Sequence, residues 1–123
     1  MEQSEVLKFI ANRKAVVSSV NCDGDKTVRD FARTQKINGN ELWLVGKFSP
    51  QTLTKIAINN SVCVLYLSKL LRVNVSVFGR AELSDDGFVV VEERPDNQQI
   101  CALKIVCEYA DCYEKGNFSR VKF

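Results

Sequence analysis

The chain begins with helical spacing. Val6, Leu7 and Ile10 recur on one face, which predicts a short amphipathic helix over residues 4–12 with Ser4 as its N-cap. From residue 14 the period changes to two. "KAVVSSVNC" reads as a strand, "DGD" at 23–25 as a hairpin turn, and "KTVRDFARTQKI" as the returning strand. In that second strand Asp30, Ala32 and Thr34 lie on one phase, and Arg29, Phe31, Arg33 and Gln35 on the other. "NGN" at 38–40 turns the chain into a third strand, "ELWLV". Leu53, Ile56, Ala57 and Asn60 then share a helical stripe behind Pro50, so residues 50–59 are expected to form a second short helix. A helix of under three turns is not stable alone and must lie against a sheet.

The strand period returns in "SVCVLYL" and "RVNVSVFGRAEL". In the latter, Val73, Val75 and Val77 alternate with Asn74, Ser76 and Phe78, and Gly79 marks a bulge or a close backbone approach. "SDDG" at 84–87 is a turn. "FVVVEERPDNQQ" fits a short strand or a helix running into a polar loop. "ICALKIVCEYADCYE" is a long strand whose Leu103, Ile105, Cys107 and Tyr109 are expected on one face, and "KGN" turns it into a final "FSRVKF". The pattern therefore predicts a mainly β chain. Six to seven antiparallel strands, joined mostly by hairpins, and two short helices favour a barrel over a flat sheet.

Composition narrows the function. A length of 123 residues suits one domain spanning 1–123 with one modest core. The net charge of +2 does not by itself imply nucleic acid or a membrane surface. The second strand does carry Lys26, Arg29, Arg33 and Lys36 near aromatic residues, the pattern of a single-strand-binding face. Acidic residues balance it, and no nucleic-acid partner is expected. No apolar run approaches the length of a membrane span, and the charged N-terminus has no signal-peptide core, so the expectation is a cytoplasmic protein.

Five cysteines without C-x-x-C spacing read as reduced, packed thiols rather than a zinc site or a disulfide framework. The absence of histidine excludes Ser-His and Cys-His nucleophiles and a His-ligated metal or haem, and no metal is expected. An enzyme with this composition would rely on a bound cofactor for its chemistry.

The candidate chemistry centres on "LWLVGKFSPQTLTK". A helix N-terminus presents unpaired N–H groups and a partial positive charge. Lys47 and Ser49 stand just before it, and the NGN hairpin would bring Arg29 alongside. Together these make a phosphate seat. The same residues also fit an ordinary strand-to-helix junction capped by Ser-Pro, with lysine and arginine solvating a face, and spacing alone favours that plainer reading.

Three segments, in order, resemble a known family. "CDGDKTVRDF", "NGNELWLVGKFSPQ" and "RVNVSVFGRAELSDD" are similar to motifs of the FMN-binding split barrels of the pyridoxamine 5'-phosphate oxidase type, in particular their short bacterial members. The resemblance covers roughly residues 4–86. It implies a homodimeric split β-barrel with FMN at the subunit interface. It also implies that the positions of Arg29, Lys47 and Ser49 help hold the FMN phosphate. By the same resemblance Asp30, Phe31, Val45, Gly46 and Gln51 fall within the cofactor-binding segments. Arg33 lies on the face of Arg29, and Lys55 one turn beyond Gln51 can supply charge. Arg120 in the last strand could reach a cofactor of the second subunit.

The chain departs from the pattern at several of these positions. Val45 stands in place of a threonine, Gln51 in place of a lysine, and Lys26 and Asp30 in place of prolines. The resemblance thus implies an FMN-dependent oxidoreductase acting on an unidentified small molecule. The alternative is a non-catalytic module that binds a flavin or another phosphorylated ligand at a degenerate site. No residue stands out as a proton donor.

Overall fold

A computed structural model describes residues 1–19, 29–82, 88–93 and 99–123. The turns expected at 23–25 and 84–87, and residues 94–98 of the polar loop, lie outside the described residues. Two helices and eight strands follow in the order α1 (Gln3–Ile10), β1 (Lys14–Ser19), β2 (Arg29–Asn38), β3 (Glu41–Phe48), α2 (Pro50–Ile58), β4 (Ser61–Ser68), β5 (Val73–Glu82), β6 (Phe88–Glu93), β7 (Gln99–Glu114) and β8 (Asn117–Lys122). The ambiguous "FVVVEE" is a strand, as its β-branched residues favour. Helix α1 starts earlier than its apolar spacing suggests. Glu2 rather than Ser4 is the N-cap, and the Glu5 carboxylate accepts the Glu2 N–H at 3.2 Å.

The sheet closes on itself. Six strands run β3-β2-β1-β4-β5-β7, and β7 pairs back onto β3, so the ring has no free edge. Every pairing is antiparallel. Strand β7 does most of the joining. On one side it pairs with β3 through residues 99–106 and with β8 through 109–114; on the other it pairs with β6 through 99–103 and with β5 through 104–114. Lys104 pins this closure from outside, reaching Glu41 of β3 at 3.2 Å and Glu82 of β5 at 3.1 Å.

Alternation sends one face of each strand into the ring. Ala15 and Val17, Leu42 and Leu44, Val62 and Val64, and Val73, Val75 and Val77 are all buried in one apolar cluster with Val6, Ile10 and Ile56 of the helices. Among the described residues three register shifts break the simple period, one of them in β6 between Val90 and Glu92. Between Thr34 and Lys36 the β2 register shifts, so Ile37 rather than Lys36 packs against the core. Between Phe78 and Gly79 the β5–β7 register shifts around Glu108. Leu103, Ile105 and Cys107 therefore face inward as expected, but Tyr109 turns outward, and Ala110 and Cys112 take over the inner face. Burial raises the Cys107 thiol to about 12, as suits a packing group rather than a nucleophile.

Inside the ring Thr34 and Tyr66 share a buried hydrogen bond of 2.7 Å. Burial pushes the Tyr66 phenol upward in pKa, so it stays protonated. A Tyr66→Phe variant leaves the Thr34 hydroxyl without its partner. The expected loss is about 1–2 kcal/mol in urea denaturation. No described helix is long and apolar enough to cross a membrane.

Candidate functional site

Strand β3 ends where Gly46 passes close to β2. A Cβ at Gly46 would sit 2.5 Å from the Phe31 carbonyl oxygen and 2.9 Å from Ala32 Cα, so only glycine allows the two backbones this proximity. Three residues later Ser49 turns extended, and Pro50 starts α2. Ser49 is the N-cap expected from Ser-Pro. Its Oγ accepts the Thr52 N–H at 3.2 Å and lies 3.0 Å from Thr52 Oγ1. The first turn of α2 contains no acidic residue.

A carboxylate arrives from the neighbouring strand instead. Asp30 Oδ2 accepts the Ser49 N–H at 3.1 Å and lies 3.4 Å from Ser49 Oγ. A negative group at this end is favoured by the helix dipole. Asp30 thus takes up donors that an incoming phosphate would use, which its place in the strand pattern did not reveal. The clue was its position one residue after Arg29, on the opposite phase of the strand.

The remaining candidates spread over the outer face of the barrel and along α2. Arg29, Phe31 and Arg33 point outward from β2, with Phe31 77% exposed. Val45 is half-buried on β3 opposite Arg33, and Gly46 lies opposite Ala32. Lys47 is exposed on the same outer phase. Neither Arg29 nor Lys47 forms an ion pair with another described residue. Gln51 is exposed in the first turn of α2, whereas Lys55 stands in its last turn. Arg33 is held apart from α2, donating to the Asn12 carbonyl oxygen beyond α1. The structure therefore brings Asp30, Ser49 and Thr52 into one network, leaves Arg29 and Lys47 exposed next to Asp30 on β2 and two residues before Ser49 on β3, and separates Arg33. Arg120 is engaged within its own chain, donating to both Asp111 oxygens at 2.7 and 3.1 Å and lying over the Tyr109 ring at 4.5 Å.

The donor set fits a phosphate group. Exposed Arg29 adjoins Asp30 on β2 and exposed Lys47 lies two residues before Ser49 on β3, neither in an ion pair with a described residue, and the Gln51 amide in the first turn of α2 adds a neutral donor. The fit requires the phosphate either to displace Asp30 or to share Ser49 with it.

No protein-family profile matches the chain, and no curated protein does. Solved structures do. A protein related to general stress protein 26, of the pyridoxinephosphate oxidase family, from Clostridium acetobutylicum aligns with a TM-score of 0.70 at 15% identity, over 98% of this chain and 92% of that one. General stress protein 26 from Bacillus anthracis aligns at 0.63 and 21% identity, over 95% and 96%. A pyridoxamine 5'-phosphate oxidase-related, FMN-binding protein from Nostoc punctiforme aligns at 0.60 and 11% identity, over 98% and 93%. With its ring closed by β7 and α2 set against it, the chain has the split-barrel fold of the pyridoxamine 5'-phosphate oxidase-like, FMN-binding proteins.

Proposed function

We propose that the chain binds FMN and serves as a flavin-dependent oxidoreductase. The observation that carries this reading is the Ser49-capped start of α2, with exposed Lys47 two residues before it on β3 and exposed Arg29 on the paired strand β2, neither in an ion pair with a described residue. The fold shared with a protein described as FMN-binding supports it. In this reading Arg29 and Lys47 neutralise the FMN phosphate, Gln51 adds a neutral donor, and Ser49 donates once Asp30 yields. Phe31 offers an aromatic face on the same outer surface. Bound FMN would supply the hydride and electron transfer of the proposed reaction.

We further propose a homodimer formed through this outer face, in the cytoplasm. Val16, Leu65, Phe78 and Tyr109 lie half-buried on the outward phase of neighbouring strands, continuous with exposed Phe31. Phe78 and Tyr109 stack with ring centroids 4.9 Å apart. Sedimentation at micromolar concentration is expected to give the dimer mass. A Phe31→Asp variant should shift it toward the monomer.

The decisive measurement is an absorbance spectrum of the purified protein with and without added FMN. A bound flavin band, or saturable quenching of FMN fluorescence, is the expected result. No binding at about 100 µM FMN, where even a weak cofactor site would fill, would overturn the reading. Replacing Arg29 or Lys47 by Gln should weaken FMN binding roughly tenfold each, the effect of one charge-assisted contact of about 1.5 kcal/mol. A second reading, a non-catalytic module for FMN or another phosphorylated ligand, is favoured by Asp30 on Ser49. FMN binding without NADH- or NADPH-driven reduction of any acceptor would select it.

A further inference from the structure

A second concentration of positive charge lies where β1 and β2 meet the end of α1. Lys14 and Arg33 are direct cross-strand partners in the antiparallel ladder. Like charges placed opposite one another destabilise such a pair. Arg13 immediately precedes Lys14, adding a third cation. None of the three forms an ion pair with a described carboxylate.

The three side chains surround space rather than solvating separate faces. With Ala11, Asn12 and Leu67 they line an open cavity of about 410 Å³. Among the described residues, no acidic one lines it. Two of the cations are held in place by backbone. Arg13 Nε donates to the Phe9 carbonyl oxygen at 2.8 Å while its guanidinium lies over the Phe9 ring at 4.1 Å. Arg33 donates to the Asn12 carbonyl oxygen. Each contact uses one of five guanidinium N–H groups and leaves the others for a ligand. The C-terminal dipole of α1 offers the equivalent of about half a negative charge, a small fraction of what three cations require.

We propose that the Arg13–Lys14–Arg33 cavity is an anion-binding site, taking the phosphate or carboxylate group of a small organic anion whose apolar part lies against Leu67. The proposal does not rest on the FMN reading. Arg33 is four residues from Arg29, roughly 13 Å along an extended strand, and its guanidinium is tied to the Asn12 carbonyl oxygen beyond α1. Uncompensated positive charge among the described residues, fixed donors and an open cavity between them occur together here, and an anion satisfies all three.

The test is an amide NMR titration of the ¹⁵N-labelled full chain at constant ionic strength, with inorganic phosphate in one arm and succinate in the other. Saturable shifts at Asn12, Arg13, Lys14 and Arg33 are expected in at least one arm. The arm that saturates identifies the headgroup. Arg33→Gln and Lys14→Gln should each weaken that titration at least fivefold, and Arg29→Gln should leave it intact. A Lys14→Glu variant places an internal carboxylate opposite Arg33. It should abolish the rise in melting temperature that the saturating anion gives the wild-type chain.

Shifts that stay linear in both arms, or that survive Arg33→Gln unchanged, overturn the proposal. Shifts confined to Ser49 and Gln51 do so too, while leaving the FMN reading in place. Failure of FMN to bind beside an intact cavity titration overturns the FMN reading alone.

Discussion

The Asp30→Asn variant is expected to bind FMN about tenfold more tightly than the wild-type chain. Asp30 Oδ2 lies 3.1 Å from the Ser49 amide nitrogen at the positive end of α2. A phosphate seated there must approach or displace a like charge. Two unit charges 4 Å apart repel by about 4 kcal/mol at an effective dielectric near 20. Asp30 is only half-buried, and solvent screening reduces the figure. A remaining 1.4 kcal/mol corresponds to about tenfold in affinity. Asparagine keeps an oxygen that can accept the Ser49 N–H, so the β2–α2 contact survives the change. Fluorescence titration with FMN reads the result, and unchanged or weaker binding would show that Asp30 does not compete with phosphate. Riboflavin, which lacks the phosphate, provides the control. Its affinity should not respond to the substitution.

The Gly79→Ala variant is expected to lose about 3 kcal/mol of stability, the upper part of the usual range for overpacking. A Cβ at Gly79 would collide with the Val106 carbonyl oxygen and lie 3.0 Å from Cys107 Cα. The nearest obstacle is a backbone carbonyl, which no side-chain rotation relieves, and the Ile105 side chain crowds the same space at 3.0 Å. Gly79 sits at the register shift that joins β5 to β7, so relief requires moving a strand pairing on which the ring closes. Gly39 gives the contrast. It has φ of +62°, and a methyl group there would meet nothing within 4 Å, so alanine incurs only the left-handed penalty of about 1 kcal/mol. Urea denaturation of the two variants separates the effects. Equal losses would mean that the close approach at Gly79 is relieved cheaply.

Much of the barrel was legible because its strands alternate cleanly. Val73, Val75 and Val77 against Asn74, Ser76 and Phe78 define both the strand and its inner face. Gly39 in NGN, and Lys115 and Gly116 in KGN, take the positive φ values that tight hairpins require. The misplacement of Tyr109 has a specific cause: a bulge inserts one residue into β7, and a period of two cannot show an insertion.

At the candidate site, Ser49 and Pro50 announced the start of α2 through local chemistry. The turn of Asp30 toward Ser49 was not legible in the same way. It depends on how β2 and β3 lie together in space. The Lys14–Arg33 opposition had the same obstacle. It needs the β1–β2 register, which a strand pattern leaves open by two residues in either direction.

The sharing of β7 among four partners has a consequence for how the chain is made. A ribosome delivers β1 to β5 before residues 99–114 emerge. Until then the nascent sheet ends on β3 at one side and β5 at the other, two bare rows of N–H and C=O groups that invite pairing with another chain. Closure joins Glu41 to Val106 and Val73 to Glu114, contacts far apart in sequence and slow to form. The hazard during synthesis is therefore concentrated late, in the interval before one strand arrives to cover both edges at once.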